Sequence, residues 1–157
     1  MSELTEYQRE RLELIEHKLK FITEKPLVAC VNGTPDIEHA DFYINELIPP
    51  AGGKPMYIAN GQQAHDAIIE QNPDVLIILP AEGSAFSAMA TVPQLLQQPG
   101  FTDIKAVKGN RVYIIDADVF NDDSMHRVDK TELLAEILYP KQFIFGFEGR
   151  GWIKFGL

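Results

Sequence analysis

Runs of apolar residues alternate along the chain with segments of helical periodicity. Residues 27–31 and 75–80 are continuously apolar, which is typical of strands covered on both faces. Shorter apolar runs at 56–59 and 112–116 predict two further strands. Helices are expected over residues 35–48, 62–71, 85–91, 102–107 and 128–138. This order predicts an α/β three-layer sandwich with a small, mainly parallel sheet of four strands.

A long amphipathic helix is predicted before the first strand. Apolar residues recur there at steps of three and four, with Leu14 and Phe21 widening the stripe, and charged residues of both signs fill the other face. The helix should span about residues 4–23, roughly 30 Å. We expect a connector-type helix over residues 1–25 and a single α/β lobe over 26–157, which ends in an aromatic, glycine-rich tail.

Composition narrows the class of protein. The 157 residues suit one domain, and the net charge of −9 argues against binding to nucleic acid. Cys30 is the only cysteine, so no internal disulfide can form, and its apolar neighbours predict a buried thiol. No apolar run approaches the roughly 18 residues of a membrane span, so a membrane-embedded protein is not expected. The first residues lack a secretory apolar core, so we expect a cytoplasmic location for the chain as it stands.

Asp116 and Asp118 directly follow the last predicted strand. An Asp-x-Asp pair in this position can hold Mg²⁺ in a phosphotransferase, but such a site also needs a lysine and further acids from later strands. Only about 40 residues follow Asp118, and they contain no strong acidic strand. We therefore expect no catalytic group and no metal site, and keep an Mg²⁺-dependent phosphotransferase as an alternative.

The order of several motifs resembles a known family. "KPLVACVNG", "NPDVLIILP", "GNRVYIID" and "FGFEGRGWIKF" follow one another as in the C-terminal lobe of class III substrate-binding proteins of ABC transporters, in the cobalamin and ferric-siderophore branch. The resemblance covers the whole chain, including the first helix, which resembles the helix joining the two lobes. It implies a non-catalytic lobe for metallo-ligand uptake or sensing, with no required cofactor and with cobalamin, a ferric siderophore or haem as possible ligands.

The resemblance also implies a ligand site in the loops that follow the strands. Asn60 stands where cobalamin binders place an aromatic contact, Glu82 lies on the cleft rim, and Phe120 could stack on a planar ligand. The implied ligand-binding residues are Asn32, Gly33, Thr34, Asn60, Glu82 and Phe120.

One loop departs from the family pattern. Many relatives have "FNRPGPR" after the last strand, whereas this chain has "FNDDSMH" at residues 120–126. Asp122 and Asp123 would repel an anionic ferric siderophore. The change leaves room for a neutral or cationic ligand. It also leaves room for the second alternative, a ligand-free interaction or regulatory module of the same fold.

The resemblance implies partners as well. Asp66 aligns with the carboxylate that docks onto the membrane permease in cobalamin systems, although an acid in a first helical turn also stabilises the helix. A single lobe covers one side of a ligand, so a missing N-terminal lobe or a homodimer is expected to complete the site. A periplasmic location is expected if a signal and a first lobe were removed.

Overall fold

The computed structural model describes residues 4–32, 42–59 and 61–156. Its sheet has the strand order β2-β1-β3-β4-β5, in which the first four strands are parallel and β5 runs antiparallel to β4. The strands are β1 Leu27–Val31, β2 Lys54–Pro55, β3 Val75–Ile78, β4 Val112–Ile115 and β5 Trp152–Lys154. The predicted α/β sandwich with a mainly parallel sheet is confirmed, with five strands in place of the expected four.

Helices cover both faces of this sheet. The helices are α1 Glu6–Leu19, α2 Phe42–Leu47, α3 Ala64–Gln71, α4 Ala85–Met89, α5 Val92–Leu96, α6 Lys105–Lys108, α7 Ala117–Phe120 and α8 Arg127–Leu138, with a 3₁₀ turn at Phe101–Asp103. One apolar cluster joins the sheet to α1, α2 and α8, and a second joins it to α3, α4, α5 and α6. No helix in the described part of the chain is long and apolar enough to span a membrane.

Strict alternation along the strands builds the two clusters. Val28 and Cys30 point to the α8 side, whereas Ala29 and Val31 point to the α3 side. The same alternation holds in β3 and β4, because successive side chains of a strand face opposite ways. Every residue of β3 and β4 is buried, which accounts for their unbroken apolar sequences.

The second strand lies two residues earlier than predicted. The ladder to β1 begins with the Lys54 N–H, which donates to the Pro26 carbonyl at 2.8 Å, and continues with Met56 N–H to the Val28 carbonyl at 2.9 Å. The prediction of a strand at 56–59 was wrong because it rested on apolarity. Hydrogen bonds to β1 set the position of this edge strand, and the apolar pattern of the sequence does not reveal them.

One buried carboxylate holds the C-terminal tail on the lobe. Glu136 of α8 is 3% exposed. Its Oε1 accepts hydrogen bonds from the Phe147 N–H at 3.1 Å and the Trp152 Nε1–H at 2.8 Å. Its Oε2 accepts from the N–H groups of Phe145 and Gly146. These N–H groups are thus hydrogen-bonded to a side chain and not to a neighbouring strand. The tail continues into β5.

The first helix is shorter than predicted and packs along the lobe. It has 14 residues, about 21 Å, in place of the expected 30 Å. Ile15 and Leu19 are buried in the α8-side cluster. Leu14 and Phe21 are 48% and 83% exposed, so the buried stripe is narrower than the sequence suggested. A role for residues 1–25 as a connector between lobes stays a prediction.

Cys30 gives a test of core integrity. Its thiol is fully buried in β1, and this burial raises its pKa to about 12. Because the thiolate is the form that attacks an aromatic disulfide reagent and expels its thiolate, the native protein should stay unmodified at pH 8 over minutes and react at once in denaturant. The reaction is followed by absorbance of the released thiolate. A Gln97→Cys variant, with a thiol on the exposed surface, should react once per molecule while native; rapid modification of the parent chain would contradict the buried position.

Candidate ligand-binding site

The topology of the sheet has a switch point between β1 and β3, where a ligand crevice is expected. The connection from β1 runs through α2 to β2 on one side, whereas the connection from β3 runs through α4, α5 and α6 to β4 on the other side. The chain therefore leaves the carboxyl ends of β1 and β3 in opposite directions. Ligands of open parallel sheets bind at such a switch point.

Two aspartates join the loops that border this crevice. The Asp116 Oδ1 caps α7 by accepting from the Val119 N–H at 3.0 Å, and its Oδ2 accepts from the Ala85 N–H at the start of α4 at 3.1 Å. The Asp118 Oδ1 accepts from the Gly83 N–H at 3.2 Å. The loop after β3 is therefore fixed to the loop after β4, and this edge of the sheet has a defined shape.

These bonds give the Asp-x-Asp pair a structural role. Both carboxyl oxygens of Asp116 are engaged by backbone N–H groups. Within residues 4–32, 42–59 and 61–156, no three His, Cys, Asp or Glu side chains come together as a metal site would require. Among these described residues, the further acids that the phosphotransferase alternative needs do not gather with Asp116 and Asp118.

Phe86 is an exposed ring at this edge. It is the second residue of α4 and is 69% exposed, next to Ala85, whose N–H is held by Asp116. Glu82, in the loop just before α4, is also exposed. Sequence reasoning missed Phe86 because it lay within a segment taken as an ordinary helix. The sequence feature that could have revealed this ring is a phenylalanine at the second position of a short helix that follows the carboxyl end of a strand.

The rim of the crevice carries negative charge. Asp118, Asp122 and Asp123 are exposed and lie in the segment after β4, and Glu82 lies in the facing loop. Hydrogen bonds from the hydroxyl and the N–H of Ser124 hold the pKa of Asp122 below its ordinary value. A ligand that approaches this rim meets several exposed carboxyl groups.

The residues implied by the resemblance fall into three groups. Asn32 is half-buried at the end of β1, and Glu82 is exposed on the rim. Gly33, Thr34 and Asn60 lie outside the described residues. Phe120 is 2% exposed within the α8-side cluster, with the Lys130 ammonium 5.1 Å from its ring centre. A stacking contact from Phe120 would require this ring to leave the core.

Asp66 stands where a docking carboxylate would be accessible. It lies in the first turn of α3, its side chain is 68% exposed, and its Oδ1 is 3.4 Å from the His65 Nδ1. The His65 ring is fixed by stacking on Phe101 at 5.2 Å and by a 2.8 Å contact of Nε2 with the Pro99 carbonyl. A role of Asp66 in binding a permease stays a prediction.

Known proteins resemble this chain in sequence and in fold. No profile of a known protein family matches the sequence. An uncharacterised ABC transporter substrate-binding lipoprotein of Bacillus subtilis, YvrC, is 28% identical over 149 residues, which cover 90% of this chain and 45% of that protein. The structure of IsdE from S. aureus complexed with haem has a TM-score of 0.65 and 24% identity, and covers 83% of this chain and 54% of that one. The TroA-like periplasmic binding protein FepB of Veillonella parvula has a TM-score of 0.63 and 20% identity, with coverages of 87% and 46%.

The extent of these matches defines what the chain corresponds to. It spans about half the length of each relative, and the matched part is one α/β lobe with its leading helix. The order of motifs in the sequence and the sheet topology agree with the same lobe. The chain has the fold of the C-terminal lobe of a class III substrate-binding protein of ABC transporters.

Proposed function

We propose that this chain is a non-catalytic binding lobe that holds a metallo-ligand at the carboxyl edge of its sheet, for uptake or sensing. One lobe covers one side of a ligand, so a second lobe or a second copy of the chain supplies the other side. Support comes from the fold of the relatives, one of which, IsdE, is complexed with haem. The fixed loops that border the crevice give further support.

The observation that carries the proposal is the ring of Phe86. A phenyl group that is 69% exposed in the first turn of α4, whose start is anchored by Asp116, presents a large apolar surface at the edge where such sheets bind ligands. Aromatic rings in this setting pack against flat or apolar ligand faces. Phe86 therefore replaces Phe120 as the ring that we propose to contact the ligand.

Charge narrows the ligand class further. Asp118, Asp122, Asp123 and Glu82 lie on the rim, and all are exposed. An anionic ferric siderophore would be repelled by these carboxylates. We propose a ligand whose side toward this lobe is flat and is neutral or cationic, as in cobalamin or in the ring of a haem whose propionates point away.

The test is binding of coloured ligands to Phe86 variants. The purified chain is titrated with haem, cobalamin and ferric siderophores, and binding is read by visible absorbance and by co-elution in gel filtration. Phe86→Ala should weaken binding about tenfold or more, since burying a phenyl group contributes roughly 1.5–3 kcal/mol. Phe21→Ala, which removes an 83% exposed ring just after α1, is the matched control and should leave the affinity unchanged.

Two outcomes would contradict this function. Equal losses in Phe86→Ala and Phe21→Ala would move the site away from the carboxyl edge. A chain that binds none of the ligands, alone or with a separately produced first lobe of a relative, would favour the ligand-free interaction module. Asp66→Arg is then the relevant variant, because an exposed carboxylate at the start of α3 would serve a protein partner such as a permease.

A further inference from the structure

Positive charge gathers at the edge of the sheet opposite the candidate ligand site. Two adjoining cavities of about 760 and 390 Å³ lie there and share Arg111 and Tyr139 in their walls. The cations that line them are Lys25, Lys54, Lys105, Arg111, Lys141 and Lys154. The only acids among the lining residues are Glu24 and Asp74. Among the described residues, six of the 14 basic residues of the chain thus meet at one place with two acids.

The sheet brings these residues together from distant parts of the sequence. Lys25 precedes β1, Lys54 begins β2 and Arg111 precedes β4, so all three lie at the amino ends of parallel strands. Lys154 ends the antiparallel β5 opposite Tyr113, which places it at the same edge. The sheet topology therefore places acidic loops at the carboxyl edge and basic side chains at the amino edge.

The positive charge of these side chains is not cancelled within the described part of the chain. The ion pairs found there join Arg11 to Asp129 and Glu132, and His65 to Asp66. Asp74 is held in place, because its Oδ2 accepts from the Leu27 N–H at 2.8 Å. Six cations against two acids leave an excess of positive charge along the walls of the two cavities.

Stabilisation of the fold accounts for only part of this cluster. The Arg111 Nη2 donates to the Leu138 carbonyl at 3.0 Å at the end of α8, where a cation offsets the helix dipole. Lys105 is the first residue of α6, where a cation opposes the dipole. Lys25 lies six residues beyond the end of α1. Lys105 and Lys25 therefore do not stabilise these helices through the helix dipole.

The smaller cavity adds an aromatic wall beside the cations. Tyr139 and Pro140 line it next to Arg111. The Tyr139 ring is held in place, since its hydroxyl donates to the Gly52 carbonyl at 2.7 Å and its edge meets Phe143 at 6.4 Å between ring centres. A ligand that reached both cavities would meet several cations on one side and a fixed ring on the other.

We propose that this pair of cavities binds a nucleotide-type ligand, with its phosphates among Lys25, Lys54, Lys105 and Arg111 and its flat ring against Tyr139. Lysine and arginine side chains are the usual partners of phosphate groups, and a tyrosine ring stacks on planar heterocycles. The site lies at the opposite edge of the sheet from Phe86, so it stands independently of the metallo-ligand function.

The test is titration of the chain with ATP, without divalent metal, by calorimetry at low ionic strength and again at about 0.15 M salt. Saturable binding is expected, tighter for ATP than for tripolyphosphate, and weaker at the higher salt. The Lys25→Gln/Lys105→Gln variant should lose about tenfold or more in affinity. The control, Arg9→Gln/Arg127→Gln, makes the same change in net charge at exposed residues that line neither cavity and should bind as the parent does.

Three results would overturn the proposal. They are absence of saturable binding at low-millimolar ATP, equal loss in the two double variants, and equal affinity for ATP and tripolyphosphate. Thermal unfolding of each variant separates lost binding from lost folding. Should the Lys25/Lys105 variant not fold, Lys54→Gln on the exposed edge strand serves the same comparison.

Discussion

Replacing Glu136 with glutamine is expected to lower the free energy of unfolding by about 3 kcal/mol at neutral pH. The carboxylate accepts four hydrogen bonds, from the N–H groups of Phe145, Gly146 and Phe147 and from the Trp152 indole. A glutamine keeps one acceptor oxygen and turns an NH₂ group toward two of these donors. Two of these donors would then lack an acceptor beside a side chain that is 3% exposed, which is the costly outcome.

Urea unfolding followed by tryptophan fluorescence measures this loss. Trp152 is the only tryptophan and is 2% exposed, so its emission reports directly on docking of the tail. Glu148→Gln is the matched control, since Glu148 belongs to the same tail but is exposed; it should change stability by less than about 0.5 kcal/mol. Equal effects of the two substitutions would show that the Glu136 carboxylate does not hold the tail.

A double-mutant cycle then assigns the contribution of one bond. Trp152→Phe removes the indole N–H that donates to Glu136 and keeps a ring in the core. Combined with Glu136→Gln, it should show a coupling of about 1 kcal/mol, as expected for side chains in direct contact. Additive effects would mean that the indole bond contributes little and that the backbone N–H groups carry the interaction.

Strands could be predicted from the sequence where a continuous apolar run is buried on both faces of the sheet. The strands Leu27–Val31 and Val75–Ile78 are apolar at every position, so their burial on both faces was visible in the sequence. The strand Trp152–Lys154 was missed because it has three residues and its position is set by distant contacts, with β4 and with Glu136. The contact with Glu136 joins residues 16 positions apart, and no local periodicity records it.

The carboxyl edge of the sheet could be predicted from the sequence, whereas the contacts of the side chains along it could not. The carboxyl edge follows from the order of strands and helices alone. The tie between Asp116 and the N–H of Ala85 spans 31 residues and follows only from the folded arrangement of two loops. The outward position of Phe86 and the inward position of Phe120 depend on the start points of two short helices, which apolar content cannot fix.

Replacing Arg11 with methionine is expected to lower the free energy of unfolding by about 2 kcal/mol at pH 7. The guanidinium of α1 donates to the Glu132 carboxylate and, at 2.7 Å, to the Asp129 Oδ1, both on α8. The three side chains are 10–22% exposed, so the variant leaves two largely buried carboxylates without their cation. Arg9→Met removes an exposed arginine from the same helix and should cost less than about 0.5 kcal/mol.

The pH dependence of this loss distinguishes the ion pair from simple packing. Burial raises the pKa of Asp129, but hydrogen bonds from Arg11 and from the His126 N–H outweigh it and hold that pKa below its ordinary value. A carboxylate with a lowered pKa stabilises the fold above its unfolded pKa of about 3.9 and loses that contribution as the pH falls through its folded pKa. The difference in free energy of unfolding between the parent and Arg11→Met should therefore be full at pH 7 and shrink below about pH 4. A difference that stays constant with pH would assign the effect to the packing of the arginine stem.

Because α1 is joined to α8 by this network as well as by Ile15 and Leu19, hydrogen exchange of the α1 amides should rise in Arg11→Met and stay unchanged in Arg9→Met.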